Sequence, residues 1–345
     1  MKVKWSVLGS CGIAKRRTIP EGILAAENAQ LVSIYDLNGS ANKTLAKELG
    51  VRAAESEKDL LSDDSDVVYI STPANVHYQQ TLMCAKAGKH ILCEKPLGLT
   101  VAQAQEMIGV CKKAQVQLGC AFMMRFHSQH QAASKMIQDG KIGKPVYARA
   151  QLSCWYPPIE GAWRQNPAQG GGGSLMDMGG HCIDLLEMFF GSLKSVSCFI
   201  RNSVHKYKSE DSAVAMLEFK NGAIGTVDTF FCIPDNSSKN ILELYGSKGS
   251  IIAKGTIGQG QAGEMMAFLE EAKTEYNAQQ LRSQSNGIMI APEPVNMYKA
   301  EIEEFSQAIL DRRRPLISAD IGMQSQTILE ACYKSVARGE VIELG

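Results

Sequence analysis

The sequence predicts two domains: an α/β domain with a doubly wound parallel sheet over residues 1–122, and an α+β domain with a large, mostly antiparallel open sheet over 123–345. Three observations carry this. The chain has 345 residues, more than a single hydrophobic core usually serves. Its first third alternates short apolar runs with helical patterns, and those runs are nearly continuous in apolar residues, as strands covered on both faces must be. After residue 122 strand-like runs follow one another with no helix between, which implies antiparallel pairing.

Val3 to Leu8 reads as the first strand, followed by a glycine-containing turn and a helical stretch to Ala26. Leu31 to Tyr35 is the second strand. Ser40 is placed to cap a helix that Gly50 stops. Val67 to Ile70 is a third strand, and Thr72-Pro73 turns the chain into a helix ending near Gly88. His90 to Cys93 and Gln117 to Phe122 are further strands, with a helix between them capped by Thr100. Beyond a helix from Ser128 to Asp139, strands are predicted at Val146–Cys154, Ser195–Val204, Ala213–Phe219, Ala223–Phe231 and Ile241–Tyr245. Lys220-Asn221-Gly222 is a hairpin signal, since Asn-Gly tolerates positive φ. Helices at Tyr298–Leu310 and Ile321–Ala337 close the chain. An open sheet covered by helices on one face leaves another to bury, so a homodimer or homotetramer through that sheet is expected.

Lysine plus arginine and aspartate plus glutamate each number 36, so no net field draws nucleic acid or an anionic membrane. No apolar run approaches the roughly 20 residues of a membrane helix. The apolar stretch after Met1 is too short for a signal peptide, which points to the cytoplasm. The ten cysteines are scattered without a Cys-x-x-Cys pair, and Cys84, Cys93 and Cys182 lie in apolar segments, so neither disulfides nor zinc are expected. His127 and His130 have a spacing that permits a metal, but lack a third ligand nearby. They read as polar helix residues, and no metal is expected.

Gly9-Ser10-Cys11-Gly12-Ile13-Ala14 follows the first strand and opens a helix. A dinucleotide turn uses one glycine for the bend, a second for close approach to pyrophosphate, and a small third residue for helix packing. Gly9 and Ala14 fill the first and third places, and Cys11 stands at the second with Gly12 beside it. A plain structural turn is the competing reading. Asp36 ends the second strand, where a carboxylate accepts hydrogen bonds from ribose hydroxyls and repels a 2′-phosphate, favouring NAD over NADP; it also suits a turn before Asn38-Gly39. Lys95, in Cys93-Glu94-Lys95-Pro96, stands at a strand's carboxyl end, where ligands of parallel sheets collect. Further on, Gly170 to Gly173 precede a helix that sets Asp177 and His181 four residues apart on one face, about 6 Å between Cβ atoms, with Asp184 on the same stripe. The glycines are expected to let backbone approach a ligand. Trp155-Tyr156-Pro157-Pro158, followed by Trp163, reads either as a sugar-stacking wall or as a packed loop. Arg164 reads either as a ligand-holding cation or as an exposed one.

Together these motifs resemble the glucose–fructose oxidoreductase / inositol dehydrogenase (Gfo/Idh/MocA) family. The resemblance rests on the Gly9–Ala14 turn, Thr72-Pro73-Ala74-Asn75-Val76-His77, Glu94-Lys95-Pro96, Arg125-Phe126-His127, Trp163-Arg164 and the Asp177…His181 segment, which follow the family order. It implies an N-terminal Rossmann domain binding NAD(P), and hydride transfer at a secondary hydroxyl or ketone of a sugar, glycoside or cyclitol. It assigns Lys95, Asp177 and His181 to catalysis. The turn residues Gly9, Cys11, Gly12, Ile13 and Ala14 go to the cofactor, with Asp36, Thr72, Pro73, Asn75, His77, Glu94, Lys95, Arg125, Trp163 and Arg164. Lys95, Arg125, Trp155, Tyr156, Asp177 and His181 go to the substrate. The departure is Cys11 for the second glycine. Alternatives from this reading are an enzyme that retains and recycles its NAD, oxidising glycosides at C3 or exchanging hydride between sugars, a reductase running toward the alcohol, and a non-catalytic NAD-dependent sensor.

Overall fold

The computed structural model describes residues 2–270 and 287–345. Six parallel strands, β1 (Val3–Leu8), β2 (Ala29–Tyr35), β3 (Arg52–Ala53), β4 (Val67–Ile70), β5 (His90–Glu94) and β6 (Leu118–Ala121), form one sheet in the order β3-β2-β1-β4-β5-β6. Chain order reverses between β1 and β4, and an open α/β sheet takes its ligand in the crevice that such a reversal leaves. The connections are the helices α1 (Gly39–Leu49), α2 (Glu57–Leu61), α3 (Ala74–Lys86) and α4 (Val101–Lys113), and a first helical segment, Ser10–Ile23, between β1 and β2.

That first segment is a wide helix kinked at Gly12 (φ −92°, ψ −124°) with Pro20 inside. Proline removes a backbone donor and its ring excludes the carbonyl four residues back, so regular α-turns are not available there. Gly50 adopts the left-handed conformation expected of it (φ 67°), and Thr100 caps α4 by accepting from Gln103 N. At α1 the cap is Asn38 rather than Ser40: Asn38 Oδ1 takes both Ala41 N and the Ser40 hydroxyl, so a side chain two residues earlier wins the exposed donors.

Among the described residues the second sheet has nine strands. Those already expected are β7 (Pro145–Ser153), β8 (Leu193–Arg201), β9 (Ser212–Phe219), β10 (Ile224–Phe230) and β11 (Ile241–Gly246). Added to them are β12 (Gly249–Lys254), β13 (Glu264–Leu269), β14 (Ile288–Met289) and β15 (Ile342–Glu343), in the order β14-β13-β12-β11-β7-β10-β9-β8-β15. Among the described residues every pairing in it is antiparallel except β7 with β10. The β9–β10 hairpin forms at Asn221-Gly222 as expected, with Gly222 at φ 87°. Helices α5 (Ser128–Gln138), α6 (Pro167–Gly170), α7 (Gly180–Phe190), α8 (Met297–Leu310) and α9 (Ala319–Arg338) complete the chain. Helix α7 packs on β7 with Cys182, Ile183, Leu185 and Leu186 fully buried, at about 1.5–3 kcal/mol for each leucine-sized side chain.

Packing runs across the expected boundary at residue 122. Helix α8 returns to the first domain: Trp5 Nε1 donates to Ser306 Oγ at 3.1 Å, the Trp5 and Phe305 rings lie 5.8 Å apart, and Cys120 N donates to Ile317 O at 2.9 Å. Ile302, Phe305, Ile317 and Ala319 belong to the core under the parallel sheet. His127 and His130 are also not surface residues. Both are fully buried with rings 4.6 Å apart, His127 Nδ1 accepts from Gln129 N to cap α5, and His130 Nδ1 lies 2.9 Å from Met124 O. Burial, aided by His127, pushes His130 down to about 3.

Candidate active site

Two adjoining clefts open at the carboxyl ends of β1, β2, β4 and β5. The first, about 610 Å³, is walled by the turn after β1, by Tyr35-Asp36-Leu37 after β2 and by Thr72, Pro73 and Asn75 after β4. Gly9 sits at φ 83°, and a Cβ there would lie 2.8 Å from Ser71 C, so the bend requires glycine. Gly12 and Ile13 face the cleft, and a Cβ on Gly12 would meet nothing within 4 Å. Cys11 lies off the walls; its amide N donates to Asp36 Oδ2 at 2.9 Å, while Asn38 N donates to Asp36 Oδ1 at 2.9 Å. The carboxylate is thereby fixed facing the groove, and Gly12 takes the open position expected of residue 11. Ala14 is fully buried beneath the turn. An open, Cβ-free turn opposite a fixed carboxylate fits a dinucleotide.

The second cleft, about 590 Å³, gathers Lys95, Asp177 and His181 beneath the nine-stranded sheet. Lys95 leaves β5 and reaches the other domain: Nζ donates to Asp177 O at 2.7 Å and to Oδ1 at 2.8 Å. Arg164 Nε lies 2.9 Å from the same Oδ1, with its guanidinium 4.1 Å above the Trp163 ring. Burial alone would raise the Asp177 pKa, but Arg164 and Lys95 outweigh it and hold the carboxyl well below the usual range. Burial, then the Lys95 and Arg164 charges, push His181 down to about 3, with Asp177 opposing. Its buried Nδ1 has no hydrogen-bond partner among the described residues, and the residue lines the cleft.

Supporting residues surround this triad. Glu94 is raised by burial and accepts from the Tyr69 hydroxyl, which itself accepts from Thr18 Oγ1 at 2.9 Å. His77 is buried with its ring nitrogens 2.9 Å from Pro96 O and from Thr72 O, so it ties the two loops that meet at the cleft. Trp163, Arg164 and Thr72 line both clefts, and Tyr156 lines the second.

Several expectations are corrected. Arg125, assigned to cofactor and substrate, is not on either wall; its Nε lies 2.9 Å from both carboxylate oxygens of Asp184, which is 2 % exposed. Asp184 therefore leaves the Asp177/His181 stripe for a buried ion pair. Trp155 is likewise off both walls; it packs edge-on against His205 with centroids 4.9 Å apart. The glycine run serves the protein rather than a ligand. A Cβ on Gly172 would lie 1.9 Å from Tyr333 Oη, and one on Gly173 1.9 Å from Glu210 O. Buried Glu210 accepts through Oε1 from Gly173 N, Leu175 N and the Tyr333 hydroxyl, fixing the turn that carries Asp177.

Among the groove residues that went unnoticed in sequence are Arg16, Glu57 and Gln80. Arg16, on the exposed side of the first helical turns, lines both clefts, and its spacing of four from Gly12 was a readable signal. Glu57 and Gln80 line the first cleft, and no motif announces them. Among the described residues no cluster of His, Cys, Asp or Glu suits a metal ion, and no helix is long and apolar enough to cross a membrane.

A family model described as an oxidoreductase family with an NAD-binding Rossmann fold matches residues 3–122, and one described as the GFO/IDH/MocA C-terminal domain matches residues 130–252. The chain belongs to the GFO/IDH/MocA oxidoreductase family. This family member is 28% identical over 345 residues to the 1,5-anhydro-D-fructose reductase of Ensifer adhaerens, covering 99% of this chain and 98% of that one. It is 30% identical over 260 residues to the myo-inositol 2-dehydrogenase of Thermotoga maritima, covering 71% and 74%. In three dimensions it is similar to an aldose–aldose oxidoreductase from Caulobacter crescentus complexed with glycerol, at a TM-score of 0.88, 26% identity and full coverage of both chains. It is an NAD-binding oxidoreductase acting on CH–OH groups.

Proposed function

We propose that the protein transfers hydride between NAD and a secondary hydroxyl or ketone of a sugar, glycoside or cyclitol. The observation that carries this is the cross-domain ion pair of Lys95 and Asp177 beside His181, in the second cleft, which shares Thr72, Trp163 and Arg164 with the first. The named sugar and cyclitol enzymes among the relatives support the substrate class. NAD, when bound, supplies the hydride acceptor, and NADH the donor. Gly9, Gly12 and Ile13 form the turn for its pyrophosphate, with Arg16 as the nearby cation and Asp36 for the ribose hydroxyls. The Asp36 carboxylate repels a 2′-phosphate, so the reading is NAD over NADP.

Neutral His181 takes the substrate hydroxyl proton at Nε2. Two of the three Lys95 N–H bonds are spent on Asp177, and the third is free to donate to the reacting oxygen and stabilise its developing negative charge. Asp177 fixes that ammonium, and Tyr156 offers a hydroxyl and an aromatic face to the ring. The Lys95 and Arg164 charges that weaken His181 as a base also favour negative charge on the oxygen it deprotonates.

The test is NADH formation across monosaccharides, inositols and glycosides, with Lys95→Ala and His181→Ala alongside. Losses of about 10²- to 10⁴-fold are expected. Turnover within threefold of wild type in both variants would refute the roles. Similarity to the aldose–aldose oxidoreductase favours one second reading, hydride exchange between two sugars on retained NAD; NAD carried through purification, with no net NADH, would select it. We also infer self-association through the open sheet face, where Phe199, Val214, Met216 and Ile224 are 64%, 38%, 59% and 55% exposed. Light scattering at micromolar concentration is expected to give a dimer or tetramer, and a monomer would refute it. Ten free thiols suit a reducing cytoplasm.

A further inference from the structure

The far end of the first cleft contains a polar chain that joins the loop after β4 to α3 and α2. Thr72 Oγ1 donates to Gln80 Oε1 at 2.6 Å, and Gln80 Nε2 donates to Glu57 Oε1 at 2.6 Å. The order of donors is forced. The ionised Glu57 carboxylate can only accept, so it turns the Gln80 NH₂ toward itself and the Gln80 oxygen toward Thr72, whose hydroxyl then donates. Gln80 is 5 % exposed, and all three residues line the cleft. Glu57 Oε1 is thus occupied, while Oε2 has no partner among the described residues and is left as a charged acceptor on the wall.

The apolar surroundings are suited to a flat heterocycle. Leu37, next to Asp36 at the end of β2, is 90 % exposed, and its side chain lines the same cleft as Val76 of α3. A leucine so exposed beside a fixed carboxylate leaves apolar surface that a ring face would cover. Asp36 marks the adenosine ribose, so the base lies at this end of the cleft. A carboxylate oxygen at the edge of a base slot selects a donor, and of the groups that distinguish purines at C6, the adenine amine is one.

We propose that Glu57 reads the 6-amino group of the NAD adenine, accepting its N–H at Oε2, with Gln80 and Thr72 as positioning residues. This rests on the NAD reading above. The base with a carbonyl at that position, hypoxanthine, brings oxygen against carboxylate and is disfavoured.

Binding of NADH and of reduced nicotinamide hypoxanthine dinucleotide, followed by dihydronicotinamide fluorescence, tests this without any substrate. Wild type is expected to bind NADH about tenfold more tightly, the size of one charge-assisted hydrogen bond. Glu57→Ala brings the two dissociation constants within about twofold of each other. Equal binding of the two dinucleotides by wild type overturns the proposal, as does a Glu57→Ala protein that keeps the wild-type preference. Failure of NADH itself to bind would instead sink the NAD reading.

Discussion

Asp177→Asn removes one charge from a site built around it while keeping the side chain's shape. Asp177 Oδ1 lies 2.8 Å from Lys95 Nζ and 2.9 Å from Arg164 Nε. At an effective dielectric near 20, each attraction is about 6 kcal/mol before desolvation is subtracted. The Arg164 side chain is 32% exposed and solvent screens its share, whereas that of Lys95 is 10% exposed. The expected net loss is therefore about 3 kcal/mol, the low end of what removing one partner of a buried pair costs. Turnover should fall about 10²- to 10³-fold, because an ammonium no longer held is a poorer stabiliser of the reacting oxygen. The assay is a double-mutant cycle by urea unfolding with Lys95→Met, repeated in turnover. Coupling of about 2 kcal/mol is expected between the two sites. Coupling below about 0.5 kcal/mol would refute the claim that this pair joins the domains at the site.

Three further outcomes are expected. His181, at about 3, stays neutral across the working range, so kcat/KM in the oxidation direction should show no acid limb near pH 6–7; such a limb in a pH–rate profile would contradict the environment described. His130 also sits near 3, below the usual 6.5, so the unfolded chain binds the extra proton and this contribution is complete above pH 6.5 and lost as pH falls toward 3. Between pH 7.5 and 5.0 it amounts to about 2 kcal/mol. Glu187, raised by burial to about 7, runs the other way, so the measurement is the difference in urea-unfolding slope between wild type and His130→Asn, and equal slopes would sink it. Gly173→Ala places a Cβ 1.9 Å from Glu210 O and should cost about 3 kcal/mol in urea unfolding; a wild-type midpoint would mean the turn yields easily.

Local rules made the first domain legible. Its strands are apolar throughout because both faces are covered, and Gly50 and Thr100 do at α1 and α4 what their side chains dictate. That Lys95, Asp177 and His181 would share one cleft was readable because strand ends and helix faces are local properties. What was hidden depends on the far partner. Arg125 carries a guanidinium that suits a phosphate, but Asp184 lies 59 positions later, and a fully buried carboxylate claims it. The glycines before Asp177 look like ligand contacts until Glu210 and Tyr333 are seen to fill the space beside them. The strand β12 was missed because its hairpin with β11 turns at Ser247-Lys248, which lacks the Asn-Gly signature. The helix α8 sits at the end of the chain and on the core of its beginning, which no local pattern records.

The two halves of the site set each other's chemistry. The first domain brings Lys95, and the second brings Arg164, Asp177 and His181. With His181 neutral, two cations face one carboxylate, leaving a positive surplus where an alcohol must lose its proton. That surplus acts on both ends of the transfer: it favours negative charge on the substrate oxygen and disfavours positive charge on the imidazole. Asp177 is the only one of the named charges that opposes the depression of His181, so neutralising it should weaken the base further even if Lys95 stayed in place. Asp177→Asn and Lys95→Met therefore push His181 in opposite directions. An acid limb that appears at higher pH in Lys95→Met, and not in Asp177→Asn, would separate the electrostatic part of the role from the positional one.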